Sequence, residues 1–185
     1  MSNKYKILAL FGKSGAGKDT IQKWLVGKQN IHSIVSCTTR PPRENEIDGV
    51  DYHFLTEDEF YQLDMLECTK FNDWQYGTPK TSLSKNKINV GVFNIRGIKL
   101  LLKDERVEIL PIYIYCSDII RLSRSLGREI NPDCHEICRR FLADEEDFKN
   151  ISFKYIIFNN GHLYDEYFGI LELPEVKEFI KDVNN

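Results

Sequence analysis

The sequence predicts an α/β fold with a three-layer core around a parallel sheet. A glycine-rich loop follows directly on an apolar segment at residues 5–11 and precedes an amphipathic segment, which is the order strand, loop, helix. Further apolar runs at 88–95, 107–116 and 155–160 alternate with helical patterns, and such runs are typical of buried parallel strands. With 185 residues and 42% hydrophobic composition, the chain is expected to form one domain with a sizeable core.

The glycine-rich loop is a candidate phosphate-binding site. It consists of Gly12, Lys13, Ser14, Gly15, Ala16, Gly17, Lys18, Asp19 and Thr20. Glycines allow successive backbone N–H groups to turn inward around an anion, the following helix presents its positive N-terminus, and Lys18 can reach the outer phosphates. The alternative is a strand-to-helix turn without a ligand, and the strand before the loop and the helix after it argue against that alternative.

One position of this loop departs from the usual pattern. A serine or threonine normally follows the lysine as a magnesium ligand, whereas this chain has Asp19, with Thr20 one residue later. A carboxylate is also a hard oxygen ligand. Asp19 is therefore expected to contact Mg²⁺ directly or through water.

The segment after a short predicted strand at 31–36 carries a second set of candidate anion-binding side chains. These are Ser36, Arg40, Arg43 and Tyr52. Arginine supplies a planar fork for phosphate oxygens, and tyrosine adds a hydroxyl donor. Composition alone explains the same residues equally well as a solvated charged face.

The remaining segments predict further helices and strands in order. Thr56 and Glu59 form a capping-box pattern for a helix over 56–64, and an alternating segment then ends in a predicted turn at 77–79. Gly97 is predicted to open the helix after strand 88–95. Ser117 is the predicted cap of an arginine-bearing helix, and 175–183 predicts a closing amphipathic helix. A helix start is expected after Pro132, and a second arginine-bearing helix is expected to begin at Arg139.

Taken together, these motifs resemble guanylate kinase. The resemblance rests on the phosphate loop, on the run Ser-x-x-Thr-Arg-x-Pro-Arg through Gly-x-Asp-Tyr-x-Phe at 36–54, and on Glu67 followed by Tyr76-Gly77-Thr78. The order of these motifs persists along essentially the whole chain. The resemblance implies a single domain over 1–185. It has a P-loop NTPase core (1–32, 86–117 and 146–185), a small β-rich GMP-binding subdomain (33–85) and a helical lid (118–145).

The resemblance also implies a reaction and a set of roles. The reaction is reversible transfer of the γ-phosphoryl group of ATP to GMP or dGMP, with Mg²⁺ as cofactor. The acceptor would be held by Ser36, Arg40, Arg43, Tyr52, Glu67, Tyr76, Thr78 and Asn94, with Glu67, Thr78 and Asn94 at its base. Lys18 and the lid residues Arg121, Arg128 and Arg140 would neutralise the transferring phosphoryl group. Without the resemblance, these helical arginines, mixed with acids, would be interpreted as surface ion pairs.

A departure near the base leaves an alternative open. The family usually carries an Asp-x-Asp pair at the end of the strand predicted at 88–95, and this chain has Val92 and Asn94 there. A kinase for a different nucleoside monophosphate is therefore one alternative. A non-catalytic guanylate-kinase-like module that binds a protein is another. Its usual mark is an eroded phosphate loop, whereas Lys18 and the lid arginines are retained here.

Composition narrows the other classes of partner. A formal net charge of -3 disfavours extended binding to nucleic acid. No apolar run approaches the roughly 18 residues that span a bilayer, and no signal-type segment opens the sequence, so we expect a soluble cytoplasmic protein.

The five cysteines fit a reducing compartment. Cys134, His135 and Cys138 have no second ligand pair at zinc spacing. The expected assembly is a monomer or homodimer with ATP and GMP or dGMP as its small-molecule partners.

Overall fold

The computed structural model of the protein describes residues 4–28, 30–44, 46–71, 73–128, 130–161 and 165–181. The strands are β1 (Tyr5–Phe11), β2 (Ile31–Ser33), β3 (Cys37–Thr38), β4 (His53–Phe54), β5 (Met65–Phe71), β6 (Trp74–Pro79), β7 (Ile88–Val92), β8 (Val107–Tyr115) and β9 (Ile156–Phe158). The helices are α1 (Lys18–Val26), α2 (Glu57–Tyr61), α3 (Ile95–Leu101), α4 (Asp118–Leu126), α5 (Cys134–Phe148), α6 (Asp165–Glu172) and α7 (Pro174–Lys181), with a 3₁₀ turn at Lys80–Ser82.

A five-stranded sheet forms the core, in the order β2-β7-β1-β8-β9, with every neighbouring pair parallel. Successive residues of the central strand β1 point to opposite faces. Leu8 and Leu10 pack in the cluster that includes residues of α1, α6 and α7, whereas Ile7 and Ala9 pack in the cluster that includes α3. Apolar side chains therefore cover both faces of the sheet, and the predicted three-layer α/β core is confirmed.

A second sheet of four short strands has the order β4-β3-β6-β5. Its strands β5 and β6 form an antiparallel hairpin in which Phe71 pairs with Trp74. The turn predicted at 77–79 is wrong, because those residues belong to β6 and Gly77 pairs with both Cys37 and Cys68. The glycine serves close packing instead. A Cβ atom at Gly77 would lie 3.0 Å from the ring of Phe60.

Several helix boundaries follow from caps. The capping box at Thr56 and Glu59 is present, although α2 ends earlier than predicted. Helix α3 begins two residues before Gly97, because the Asn94 side chain accepts a hydrogen bond from the Gly97 N–H at 2.7 Å and so acts as the N-cap. Asp133 caps α5 in the same way, so the helix start predicted after Pro132 is confirmed, whereas the start predicted at Arg139 is wrong because Arg139 lies inside α5.

The C-terminal part of the chain differs from the prediction in two respects. Helix α6 has no counterpart in the sequence-based prediction, and it contributes the fully buried Ile170 to the core. Helix α7 corresponds to the predicted closing helix, of which residues 182 and 183 lie outside the described residues. Among the described residues, no helix is both long and apolar enough to cross a membrane.

The fully buried Asn89 on β7 interrupts the apolar strand. Its amide nitrogen donates to the carbonyl oxygens of Lys6 at 3.0 Å and Ser84 at 2.9 Å, and its amide oxygen accepts from the Ser84 N–H at 2.7 Å. One side chain thus joins β7 to β1 and to the preceding loop.

Asn89→Asp is expected to lower the free energy of unfolding by about 2 to 4 kcal/mol, because two buried carbonyls lose their donor and face a carboxylate. Urea unfolding measures the change. The same substitution at the exposed Asn86 is the matched control and should change stability by less than about 0.5 kcal/mol. Equal effects at the two positions would contradict this role for Asn89.

Candidate active site

A cavity of about 570 Å³ lies between the phosphate loop, the second sheet and α5. The residues predicted for the site that line this cavity are Gly12, Ser14, Lys18, Ser36, Arg40, Arg43, Tyr52, Glu67, Tyr76, Asn94 and Arg140. They come from segments far apart in the chain. The structure therefore brings the predicted phosphate site and the predicted acceptor site into one space.

The phosphate loop is held in a conformation that requires glycine at two positions. Gly15 and Gly17 have φ angles of 78° and 88°, in the left-handed region. A Cβ atom at Gly15 would lie 2.4 Å from the carbonyl oxygen of Arg121, and one at Gly17 would lie 2.4 Å from Nδ2 of Asn159. Asn159 also donates to the carbonyl oxygen of Ala16 at 2.7 Å. The loop is thus clamped against α4 and the chain after β9.

Lys18 lies at the first position of α1, and its ammonium group donates to the carbonyl oxygen of Lys13 at 3.1 Å. Burial lowers the pKa of Lys18, and the positive charges of Arg128 and Arg121 act in the same direction. The acids Asp19 and Asp144 oppose that lowering. An anion bound beside Lys18 would favour its charged form, as the predicted contact with phosphate requires.

Two acids of α5 bind the phosphate loop. Asp144 Oδ2 accepts from the backbone N–H of Ser14 at 2.7 Å, and Glu145 Oε1 accepts from Lys13 Nζ at 2.6 Å. The same carboxylates accept hydrogen bonds from Arg121. A carboxylate of the chain therefore occupies one donor of the anion-binding loop.

The three arginines of the predicted lid lie in different environments. The side chain of Arg121 is 1% exposed and contacts the carboxylates of α4 and α5, so it does not line the cavity. Arg128 is exposed and follows the end of α4. Arg140 lines the cavity, and its Nε donates to Glu136 at 2.6 Å. The catalytic roles of these arginines remain predictions.

Arg40 is fixed by a residue that the sequence analysis did not single out. Its Nη2 donates to both carboxylate oxygens of Glu46 at 2.8 Å, and Nη1 donates to the carbonyl oxygen of Pro41 at 2.7 Å. Its Nε is buried and has no hydrogen-bond partner among the described residues. Arg43, whose side chain is half exposed, also lines this cavity, and its Nη1 lies 3.7 Å from Glu46 Oε1. Glu46 thus pairs with both arginines, more closely with Arg40.

Two tyrosines, Tyr52 and Tyr76, also line this cavity. The rings of Tyr52 and Tyr76 meet edge to face with centroids 6.1 Å apart. Burial raises the pKa of Tyr52 to about 12. Tyr52 therefore keeps its proton at neutral pH and can donate it to an anion.

Glu67 lies on β5 and is 8% exposed. Its Oε1 accepts from the hydroxyl of Thr78 at 2.8 Å, and Thr78 lies 3.3 Å from the hydroxyl oxygen of Ser36. Thr78 is therefore buried behind Glu67, outside the cavity lining, and its predicted contact with the base stays a prediction. Burial raises the pKa of Glu67 to about 7, and the bond from Thr78 partly offsets this effect.

Asn94 and Thr69 lie beside Glu67. The amide nitrogen of Asn94 donates to the hydroxyl oxygen of Thr69 at 2.9 Å. Thr69 is 7% exposed and lines the cavity, although the sequence analysis did not name it. It lies two residues after Glu67 on one strand, and this spacing was the only available signal.

No group of three or more His, Cys, Asp or Glu side chains that could hold a metal occurs in the described part of the chain. All five cysteines are free, and Cys134 and Cys138 are exposed. Asp19 is exposed at the first turn of α1, and its charge affects the pKa values of Lys18 and Tyr52. A single carboxylate at this position suits Mg²⁺, which commonly takes one or two carboxylates together with water and phosphate oxygens.

A parallel sheet with a glycine loop between its central strand and α1 defines the class of P-loop nucleotide-binding proteins. A family model described as guanylate kinase matches residues 4–172. A guanylate kinase of Wolbachia pipientis wMel is 34% identical over 165 residues, covering 83% of this chain and 82% of its own length. A guanylate kinase of Prochlorococcus marinus (strain MIT 9312) is 36% identical over 154 residues, covering 77% of this chain and 82% of its own length. The chain belongs to the guanylate kinase family.

A solved structure agrees with this assignment at the level of the fold. The crystal structure of guanylate kinase from Anaplasma phagocytophilum has a TM-score of 0.69 to this chain, with 21% sequence identity. The structural match covers 95% of this chain and 87% of the Anaplasma phagocytophilum chain. The predicted family and fold are confirmed.

The contact between Asp144 and the phosphate loop should compete with bound phosphate. Asp144→Asn is expected to tighten the binding of inorganic tripolyphosphate roughly tenfold, because a charged acceptor no longer occupies the Ser14 N–H. Isothermal titration calorimetry measures the affinity. Glu146→Gln is the matched control on the same helix, since this exposed side chain pairs with Lys149 and does not contact the loop. Weaker binding by Asp144→Asn would mean that the carboxylate supports the loop.

Glu67 should make stability depend on pH. Its folded pKa of about 7 exceeds its ordinary value of 4.5, so the contribution is fully present below pH 4.5 and is lost as the pH rises toward 7. The difference corresponds to about 3 kcal/mol. We expect the unfolding free energy of the wild type minus that of Glu67→Gln to fall by this amount between pH 4.5 and 8, as measured by urea denaturation. A constant difference would contradict the burial of an ionisable Glu67.

Proposed function

We propose that the protein catalyses reversible transfer of the γ-phosphoryl group of ATP to GMP or dGMP, giving ADP and GDP or dGDP. One observation carries this proposal. A single cavity is lined both by residues of the phosphate loop, including Lys18, and by the basic and aromatic residues Arg40, Arg43, Tyr52 and Tyr76 together with Glu67. The first group suits a polyphosphate, and the second suits a nucleoside monophosphate. The two substrates would therefore meet inside the cavity.

The geometry supports catalysis by positioning and by charge, without a covalent intermediate. The loop N–H groups and Lys18 would bind the phosphates of ATP and stabilise the charge that develops during transfer. Arg140 also lines the cavity and would act with Lys18, together with Arg121 and Arg128, whose charges affect the pKa of Lys18. These four residues are proposed as the catalytic set.

Another set of lining residues would hold the acceptor. The unpaired Nε of Arg40 and the half-exposed guanidinium of Arg43, which also pairs with Glu46, would bind its phosphate together with the hydroxyls of Tyr52 and Tyr76. Ser36 also lines this cavity. At the base, ionised Glu67 can accept the adjacent N1 and N2 protons of guanine, whereas adenine presents an acceptor at N1. Thr78 and Asn94 would support this recognition.

Magnesium is proposed as the cofactor. When bound, Mg²⁺ neutralises phosphate charge and orients the transferring group. Asp19 would hold it, together with oxygens of the nucleotide. We also propose a cytoplasmic location, in keeping with the five free cysteines, and a monomer or homodimer.

A second candidate is a kinase for another nucleoside monophosphate. The replacement of two family carboxylates by Val92 and Asn94 favours it, because a neutral partner binds the amino group of guanine less strongly than a carboxylate does. A protein-binding module without activity is the less favoured candidate, since the phosphate loop keeps its geometry and Lys18.

An assay of ADP release with ATP, Mg²⁺ and each ribonucleoside and deoxyribonucleoside monophosphate tests the proposal. We expect GMP or dGMP to have the highest kcat/KM. Lys18→Ala should reduce turnover at least about a hundredfold, because the charge beside the transferring phosphate is removed. Lys23→Ala, at an exposed position of the same helix, is the matched control and should keep full activity.

Two outcomes would reject parts of this proposal. A pyrimidine or adenine monophosphate with clearly higher kcat/KM than both guanine nucleotides would support the second candidate instead. Turnover by Lys18→Ala within tenfold of the wild type would place catalysis outside this loop.

A further inference from the structure

The hydroxyl of Thr69 is a buried polar group beside the candidate base site. Thr69 and Glu67 are two residues apart on β5, so their side chains leave the strand on the same face. Both are nearly buried, at 7% and 8% exposure, and both line the cavity. Any base that contacts Glu67 therefore lies close to this hydroxyl.

The hydrogen bond between Thr69 and Asn94 has a defined direction. The amide oxygen of Asn94 accepts from the Gly97 N–H at 2.7 Å, so its amide nitrogen faces Thr69 and donates at 2.9 Å. An amide nitrogen cannot accept the hydroxyl proton in return. No other hydrogen bond of this hydroxyl occurs among the described residues. Its proton is therefore available to a group inside the cavity.

Leaving a buried donor unpaired is unfavourable, so a ligand that supplies an acceptor at this point gains affinity. The cavity lining then presents to a ligand an acceptor, the Glu67 carboxylate, next to a donor, the Thr69 hydroxyl. Guanine matches this arrangement, because an acceptor atom flanks its N1–H and N2–H donors on either side, O6 on one and N3 on the other. An aspartate at position 94 would instead accept the hydroxyl proton itself. The asparagine is thus the reason that the donor remains free.

We propose that Thr69 is a specificity-determining residue that donates its hydroxyl proton to an acceptor atom of the nucleotide base, beside the donors accepted by Glu67. Asn94 leaves this proton free, because its amide nitrogen donates to the hydroxyl oxygen and cannot accept the proton. The inference rests on the proposed function and adds a contact to the same site.

Thr69→Val and Thr69→Ser form a matched pair for the test. Valine keeps the branched shape and removes the hydroxyl, whereas serine keeps the hydroxyl. We expect Thr69→Val to lower kcat/KM for GMP roughly threefold to tenfold, the range of one neutral hydrogen bond, mainly through KM. Thr69→Ser should stay within twofold of the wild type. The KM for ATP should not change in either variant.

A double-mutant cycle separates direct contact from an effect through Asn94. If Thr69 acted only by holding Asn94, Thr69→Val would have no further effect in an Asn94→Ala background. We expect the same threefold to tenfold loss in both backgrounds. Circular dichroism and thermal unfolding establish that each variant is folded.

Failure of this inference and failure of the proposed function give different results. If the wild type does not phosphorylate GMP or dGMP, the proposed function is wrong and the inference falls with it. If the wild type phosphorylates GMP and Thr69→Val does so equally well, only the inference is wrong. A loss that disappears in the Asn94→Ala background, or that affects ATP equally, would also overturn the donor role.

Discussion

The form of the phosphate loop depends on a buried arginine. Arg121 has a guanidinium with almost no exposure, paired with three carboxylates that include Asp144 and Glu145. Breaking up such a group would leave an uncompensated charge in the interior, which costs about 3 to 5 kcal/mol. Because Asp144 and Glu145 also bind Ser14 and Lys13, the same ion-pair network joins α4, α5 and the loop. Movement of α5 would therefore change the donors that the loop offers.

The cavity combines charged groups with a largely buried environment. Burial lowers the pKa of Lys18 and raises the pKa of Glu67, so each group is shifted toward its neutral form. Electrostatic interactions are stronger in such surroundings than in water. A ligand that brings phosphates to Lys18 and base donors to Glu67 would favour the charged form of both groups. The cavity thus favours a ligand that engages Lys18 and Glu67 together.

Sequence motifs within a few residues were enough to predict those helices and loops that begin or end at such a motif. The capping box at Thr56 and the loop that precedes Lys18 each depend on residues within a few positions, so they were visible in the sequence. The predicted turn at Gly77 failed because glycine also serves close packing, and only its neighbours in the folded structure, Glu67 and Phe60 among them, show which use applies here. Helix α6 was not predicted, and its Ile170 is buried by tertiary contacts that the sequence alone does not show.

The sequence by itself determined the phosphate loop, the family and 11 of the 23 residues that line the cavity, because these depend on residue type and spacing. Only the tertiary structure decided how those side chains are paired. It showed that the guanidinium of Arg40 donates to Glu46 and that Thr78 donates to Glu67. It also showed that the amide nitrogen of Asn94 donates to Thr69. Such pairings join segments that are distant in the chain, and the direction of a hydrogen bond depends on which donors and acceptors the neighbouring atoms leave free.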